Sequence, residues 1–318
     1  MFSRFRKKNK APEITDIPQW ASFFTPQAYT AFIAGIANYF KEKDIAFTLE
    51  GDIIHIHSAL FNFSRLDLVK IAKICNPNPP AAYAGIISDH FSGLKKAIAF
   101  DNAFNENIAD FEKAKPYLGV RLCCQEHASP ICGPGGGAIN RPVAEDLHAV
   151  LIVDLPHAMR PILPEHITDW GKSKDELFSI GIANTRKKHP VQITQENMGD
   201  FHIWFVNSDH CFSANILYEL EDRPELIGSK GSLIGLPHSY SVLIYPIENL
   251  DIVTAIQGLI PAIYSMNLES PASLVPHLYW YCDGAFIDLP YENRNGRLHF
   301  IPPNRFMALL AEMETQLH

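Results

Sequence analysis

Residues Ala149-Val150-Leu151-Ile152-Val153 form an uninterrupted apolar run, rich in branched side chains, that stops at Asp154. Branched side chains suit a pleated surface, and a run without polar alternation is stable only if both of its faces are covered. A core strand is therefore expected here, with the polar residues just beyond it emerging together at a rim. Covering such a strand needs a large hydrophobic interior, which 318 residues at 47% hydrophobic and 19% charged content can supply. The polar, acidic stretch from Asp101 to Lys115 lacks a sustained strand pattern and sets an expected domain boundary near residue 112. This gives a basic tail over 1–22, an N-terminal α+β domain over 23–112 and a larger C-terminal α+β domain over 113–318.

Local patterns fill in these domains. Thr25-Pro26 reads as a helix cap followed by proline at the first helical position, and Tyr29, Phe32, Ile33, Ile36 and Phe40 recur at helical spacing up to about Asp44. Alternation on either side of Gly51-Asp52 describes a hairpin, with a third strand expected at Leu60 to Phe63. Helices are expected over Arg65 to Cys75 and Ala81 to Phe100, separated by Pro77, Pro79 and Pro80. In the second domain Ser173 and Glu176 have capping-box spacing, opening a helix that runs to about Lys188. Further helices are expected over Asp209 to Glu221, Glu248 to Leu268 and Asn304 to Gln316. Strand patterns fall at Val120 to Cys124, Val191 to Gln195, Phe201 to Val206, Leu233 to Leu236 and Tyr240 to Tyr245. Asp283-Gly284 and Asn295-Gly296 are hairpin turns that require positive φ. Hairpins separated by helices, rather than strict alternation of strand and helix, predict an α+β fold with mixed, mainly antiparallel sheets.

One block reads Val153-Asp154-Leu155-Pro156-His157-Ala158-Met159-Arg160, then Ile167-Thr168-Asp169-Trp170-Gly171-Lys172-Ser173, Glu176-Leu177 and Ala183-Asn184-Thr185-Arg186. Val120-Arg121-Leu122 precedes it, and Ser208-Asp209, Ser213-Ala214-Asn215-Ile216-Leu217 and Leu236-Pro237 follow. In this block and order the chain resembles the uncharacterised bacterial YtpQ-type proteins, a domain-of-unknown-function family; it departs at His238-Ser239-Tyr240. The resemblance implies a soluble, cytoplasmic, bacterial protein and carries no established reaction and no functional residues to transfer.

Charge narrows the partners. The formal net charge of −8 argues against nucleic acid, whose general affinity rests on cationic groups that release counterions. Arg4, Arg6, Lys7, Lys8 and Lys10 make the first residues locally basic, readable as a solvated terminus or as a weak contact for an anionic surface. No apolar segment of about 7–15 residues follows them, as a secretory signal would require, and no stretch has the roughly 20 apolar residues of a membrane span. Six scattered cysteines lack the density of a disulfide framework and are read as reduced thiols in cytoplasm.

Several constellations carry candidate chemistry, each beside a plainer reading. Asp154, His157 and Arg160 come first, because ligands in α/β proteins often sit beyond strand ends. Arg160 has the planar fork to clamp a carboxylate or phosphate, with Asp154 orienting it or His157; the plainer reading is an Asp-Arg pair that fixes the loop. Asp209 joins them as a ligand-binding candidate or simply as a helix cap, with His210 and Cys211 a conceivable nucleophile pair. His55 and His57 share one face of a strand and are weak metal candidates that need further donors. Cys123, Cys124, His127 and Cys132 are readable as a soft-ligand site, a reactive thiol or small core residues. Gly133, Gly135, Gly136 and Gly137 lack any phosphate-loop or dinucleotide spacing. No cofactor is predicted. The expected function is non-enzymatic ligand binding or regulation, with an unknown small molecule or protein as partner. A hydrolase, metal-dependent or not, and an assembly factor using the aromatic strand Leu278-Tyr279-Trp280-Tyr281 are the alternatives.

Overall fold

Thr25 accepts a hydrogen bond from the Ala28 N–H and Pro26 takes the first turn, so helix α1 runs over Pro26–Glu42. It stops where Asp44 turns left-handed at φ 54°. In this computed structural model, which describes residues 17–57, 64–124, 137–156, 158–270, 272–294 and 297–315, the chain divides into two compact units, Met1–Asn105 and Glu106–His318. The division lies upstream of the expected boundary near residue 112.

In the first unit, β1 (Ala46–Glu50), β2 (Ile53–His57) and β3 (Arg65–Asp67) form an antiparallel sheet in that order. The strand expected at Leu60 to Phe63 lies outside the described residues. Arg65–Asp67, expected to start a helix, instead pairs with β2, and helix α2 begins only at Val69–Cys75. Asp67 explains the change of state: its carboxylate accepts from the Val69 N–H at 2.5 Å, which serves the new helix start. After the prolines, helix α3 covers Tyr83–Asn107. It extends past Phe100, where the polar composition had suggested an end, because Phe104 keeps one side buried while its polar neighbours face water. Phe32, Ile36, Phe40, Ile54, Ile71 and Phe91 are fully buried at the centre of this unit.

The second unit opens with helix α4 (Phe111–Ala114), capped by Asp110. The apolar run forms the predicted core strand. Strand β4 (Leu118–Cys124) pairs with one edge of β6 (Leu147–Asp154), and β5 (Asn140–Ala144) and β7 (Met159–Pro161) share the other edge. Helix α5 (Lys174–Lys188) begins at the expected capping box, with Ser173 and Glu176 each accepting from the other's backbone N–H. Next come β8 (Gln192–Met198), β9 (Phe201–Asn207), β10 (Ser232–His238), β11 (Ser241–Pro246), helix α6 (Ile252–Glu269), β12 (Leu278–Cys282) and β13 (Ala285–Leu289). Their sheet has the order β13-β12-β10-β11-β9-β8. Hairpin β14 (Tyr291–Arg294) and β15 (Arg297–Phe300) precedes helix α7 (Asn304–Thr315). Every strand pairing among the described residues is antiparallel, so the protein is α+β. The turn at Asp283-Gly284 has the expected positive φ at both residues, 52° and 75°; Asn295-Gly296 lies outside the described residues.

The helix expected over Asp209 to Glu221 is replaced by three short 3-10 turns, Ser213–Tyr218, Leu220–Asp222 and Pro224–Leu226. Ser213 donates its hydroxyl to the Tyr240 carbonyl, and Asn215 donates its amide to the Val120 carbonyl at 2.7 Å. Both side chains are tied to neighbours distant in sequence, which favours an irregular path over helical propensity.

Those bonds belong to a larger device. In register with β6, Val120 points both its N–H and its C=O away from β6, toward the outer edge of β4. Thr185 Oγ1 accepts from the Val120 N–H at 3.1 Å, Asn215 donates to the Val120 carbonyl, and Asn184 donates to the Leu118 carbonyl at 3.0 Å. Gly181 lets α5 come this close, since a Cβ there would stand 3.1 Å from the backbone of Gly119. Side chains therefore close an edge that another strand would otherwise have to cover. Thr185→Val keeps the shape of the side chain but strands the buried Val120 N–H. It should lower unfolding free energy by about 1–3 kcal/mol in urea titration, whereas Asn184→Ala, at a half-exposed position, should cost less.

Candidate functional site

Asp154 ends β6 and sits opposite Met159 in the β6–β7 hairpin, which Leu155 closes by donating its N–H to the Ala158 carbonyl. Because α5 is fastened along β4, its last residues arrive beside the end of β6. Lys188 Nζ lies 2.7 Å from Asp154 Oδ2 and also donates to the Asp154 carbonyl at 2.9 Å. His189 Nε2 meets the same Oδ2 at 2.6 Å. The Asp154 and His189 side chains are 14% and 18% exposed, so their contact lies in a poorly solvated setting; Lys188, at 45%, is open to water.

The imidazole of His189 is clamped in turn. It stacks on Phe212 at 4.3 Å between ring centroids and 23° between planes, and meets His210 edge-on at 5.0 Å. The Pro190 carbonyl near His210 Nε2 requires the proton on that nitrogen, leaving His210 Nδ1 to accept from the Phe212 N–H. Phe212 rests on one face of the β4–β6 sheet with Cys123, Val150 and Ile152. Burial pushes the neighbouring Cys211 thiol up, with Arg121 pulling it back and Asp154 raising it again. A raised thiol is a poor nucleophile at neutral pH. Beside Asp154 and Lys188, a groove of about 390 Å³ is lined by Tyr117, Leu118, Asn184 and Lys187 as well.

The residues expected to act together divide as follows. Asp154 and Arg160 do not pair. Arg160 stands opposite Val153, so its side chain leaves the face of the sheet opposite to that of Asp154. Arg160 Nε and Nη2 are buried and have no hydrogen-bond partner among the described residues. His157 lies outside the described residues. Asp209 caps no helix; it is exposed and carries no hydrogen bond or ion pair among the described residues. His55 and His57 do share the face opposite Ile54 and Ile56, but they take separate partners, Glu50 at 3.4 Å and Thr48 at 3.4 Å. Among the described residues no group of three or more His, Cys, Asp or Glu side chains is placed to hold one metal ion. Cys123 and Cys124 are buried, whereas His127, Cys132 and the loop glycines before Gly137 fall outside the described residues. The aromatic strand proposed for assembly is itself core: Leu278, Tyr279, Trp280 and Tyr281 are all buried.

Reading by sequence missed His189, Lys188 and Phe212. Lys188 enters only as the end of the expected helix, and nothing local links position 189 to position 154.

Burial decides which contact matters more. A double-mutant cycle between Asp154→Ala and His189→Ala, read by urea unfolding, should give a coupling of about 1–2 kcal/mol. The Lys188 cycle should give under about 0.5 kcal/mol because water and salt screen that pair. Peptide mapping after iodoacetamide treatment should show Cys211 reacting at least about tenfold more slowly than free cysteine near neutral pH.

Searches of protein-family models, curated proteins and solved structures give no match to this chain.

Proposed function

We propose that the chain is a non-enzymatic ligand-binding or regulatory protein of the bacterial cytoplasm, akin to the YtpQ-type proteins, whose ligand is a small carboxylate or phosphate compound. The observation that carries this reading is Arg160. Two of its guanidinium nitrogens are buried without a partner among the described residues, and a buried cationic donor left unpaired costs several kcal/mol. A carboxylate or phosphate matches the guanidinium fork in both charge and geometry.

Register supports the placement. Arg160, Val153 and Leu118 form one row across β7, β6 and β4 on a single face; the groove lined by Leu118, Asp154 and Lys188 lies at the far end of that row and does not include Arg160. Lys187, on the same groove wall, has no ion-pair partner among the described residues and adds positive charge. Asp154 then serves as an anchor. Its ion pair with Lys188 and its hydrogen bond with His189 tie the hairpin that carries Arg160 to the end of α5.

The short Asp154–His189 contact favours one second reading, a hydrolase in which Asp154 orients His189 as a general base. The two readings separate in one set of measurements. Inorganic phosphate, succinate and citrate, titrated by calorimetry and thermal shift, should yield at least one binder whose affinity falls about tenfold or more in Arg160→Ala. Turnover of ester, phosphate or amide substrates that is lost in Asp154→Ala would replace the binding reading with the hydrolase. Failure of all three anions, together with a more stable Arg160→Met, would make Arg160 a packing residue only.

A further inference from the structure

A second set of buried polar groups gathers around Tyr279. In β12 this residue lies directly opposite Asp288 of β13, so both side chains stand on the same face of the sheet. Tyr279 is 1% exposed and its hydroxyl has no partner among the described residues. Asp288 Oδ1 and His277 Nδ1 are likewise buried and unpartnered. The β5–β6 turn adds two carboxylates. Asp146 Oδ2 stands 3.4 Å from His277 Nε2, and both Glu145 and Asp146 act electrostatically on Tyr279 and on Asp288.

The group grades from wet to dry. Glu145 is exposed, the Asp146 side chain is 44% exposed and that of His277 27%, while Tyr279 lies at the buried end. Burial pushes the Asp288 carboxyl up; His277 opposes the shift and Glu145 and Asp146 reinforce it. Burial likewise raises the Tyr279 phenol, with Asp288, Asp146 and Glu145 adding to it. The field at the buried end is therefore negative, and no Lys or Arg among the described residues acts on Tyr279 or Asp288.

Asp288 Oδ1 is an acceptor and the Tyr279 hydroxyl can accept as well as donate, while Asp146 Oδ2 faces His277 Nε2. With three carboxylates gathered here, Glu145, Asp146 and Asp288, the group that fits is one that donates and is positive. A metal ion would need its ligands within about 2.0–2.6 Å of a single point, and no three of the described His, Cys, Asp or Glu side chains are so arranged. A guanidinium or ammonium head sends N–H donors in several directions and reaches acceptors that are further apart.

We propose that Glu145, Asp146, His277, Asp288 and Tyr279 form a binding site for an organic cation, an ammonium or guanidinium group, with the exposed carboxylates drawing it in and the Tyr279 hydroxyl and Asp288 receiving it. The site is separate from Arg160 and does not rest on the anion reading.

The test uses the full chain and agmatine, which carries one guanidinium and one ammonium. Agmatine should raise the melting temperature and bind in calorimetry, with affinity that falls as salt rises. Asp288→Asn should weaken binding about tenfold or more, as expected for loss of a charge-assisted hydrogen bond. Tyr279→Phe keeps the ring and removes only the orphan hydroxyl, so it should leave the free protein as stable or more so while weakening agmatine. If Asp288→Asn does not fold, Asp146→Asn and Tyr279→Phe carry the test. The proposal is overturned if agmatine fails to bind, if manganese or zinc binds in its place and is lost in Asp288→Asn, or if Tyr279→Phe destabilises the protein and leaves agmatine binding unchanged.

Discussion

The outer edge of β4 is closed by side chains. Thr185 and Asn215 satisfy both backbone groups of Val120, and Asn184 serves the Leu118 carbonyl. Buried backbone groups must be paired, and in an antiparallel sheet the outward-facing pair on an edge strand is usually met by another strand or by water. Here α5 and the 213–218 turn meet it, and this fixes their position as well as the stability of β4. A helix held at Thr185 and Asn184 has no freedom to slide, so its end falls at the end of β6. Lys188 and His189 reach Asp154 because of bonds made one turn earlier.

That arrangement also accounts for the split between Asp154 and Arg160. Side chains alternate across a strand, so cross-strand partners share a face and sequence neighbours do not. Asp154 is paired in register with Met159, and Arg160 with Val153. The two charged residues flank one tight hairpin, yet they leave it on opposite sides. Asp154 finds Lys188 at the end of α5 and His189 just beyond it, where burial makes the His189 contact firm, and Arg160 keeps its donors. An Asp-Arg pair would have neutralised both residues locally; the register separates them.

The parts legible in the sequence are those decided within a few residues. The Ala149 to Val153 run became the core strand because composition alone requires it to be covered on both faces. The Ser173/Glu176 capping box and the Asp283-Gly284 turn formed because their chemistry is complete within four residues. The failures at the candidate site and the 213–226 turns are long-range. Asp209 to Glu221 has helical composition, but Ser213 and Asn215 are recruited by Tyr240 and Val120, the latter bond spanning 95 positions. Arg65 to Asp67 is drawn into β2's sheet before α2 can start. His189 meets Asp154 from 35 positions away, and only the docking of α5 on β4 could have revealed it.

Two places in this unit hold buried polar atoms without hydrogen-bond partners among the described residues. Arg160 holds surplus donors, while His277, Asp288 and Tyr279 gather beside the carboxylates of Glu145 and Asp146. Leaving such groups unpaired costs about 1–3 kcal/mol each, more for charged ones, against a total stability of roughly 5–15 kcal/mol. If internal economy were the only constraint, donors and acceptors would be paired with each other or replaced by apolar side chains of similar volume, a substitution that is often neutral or stabilising. Neither has occurred. A buried guanidinium at Arg160 and a carboxylate-rich cluster around Tyr279, the latter beside the exposed Glu145, are what partners of opposite charge would require.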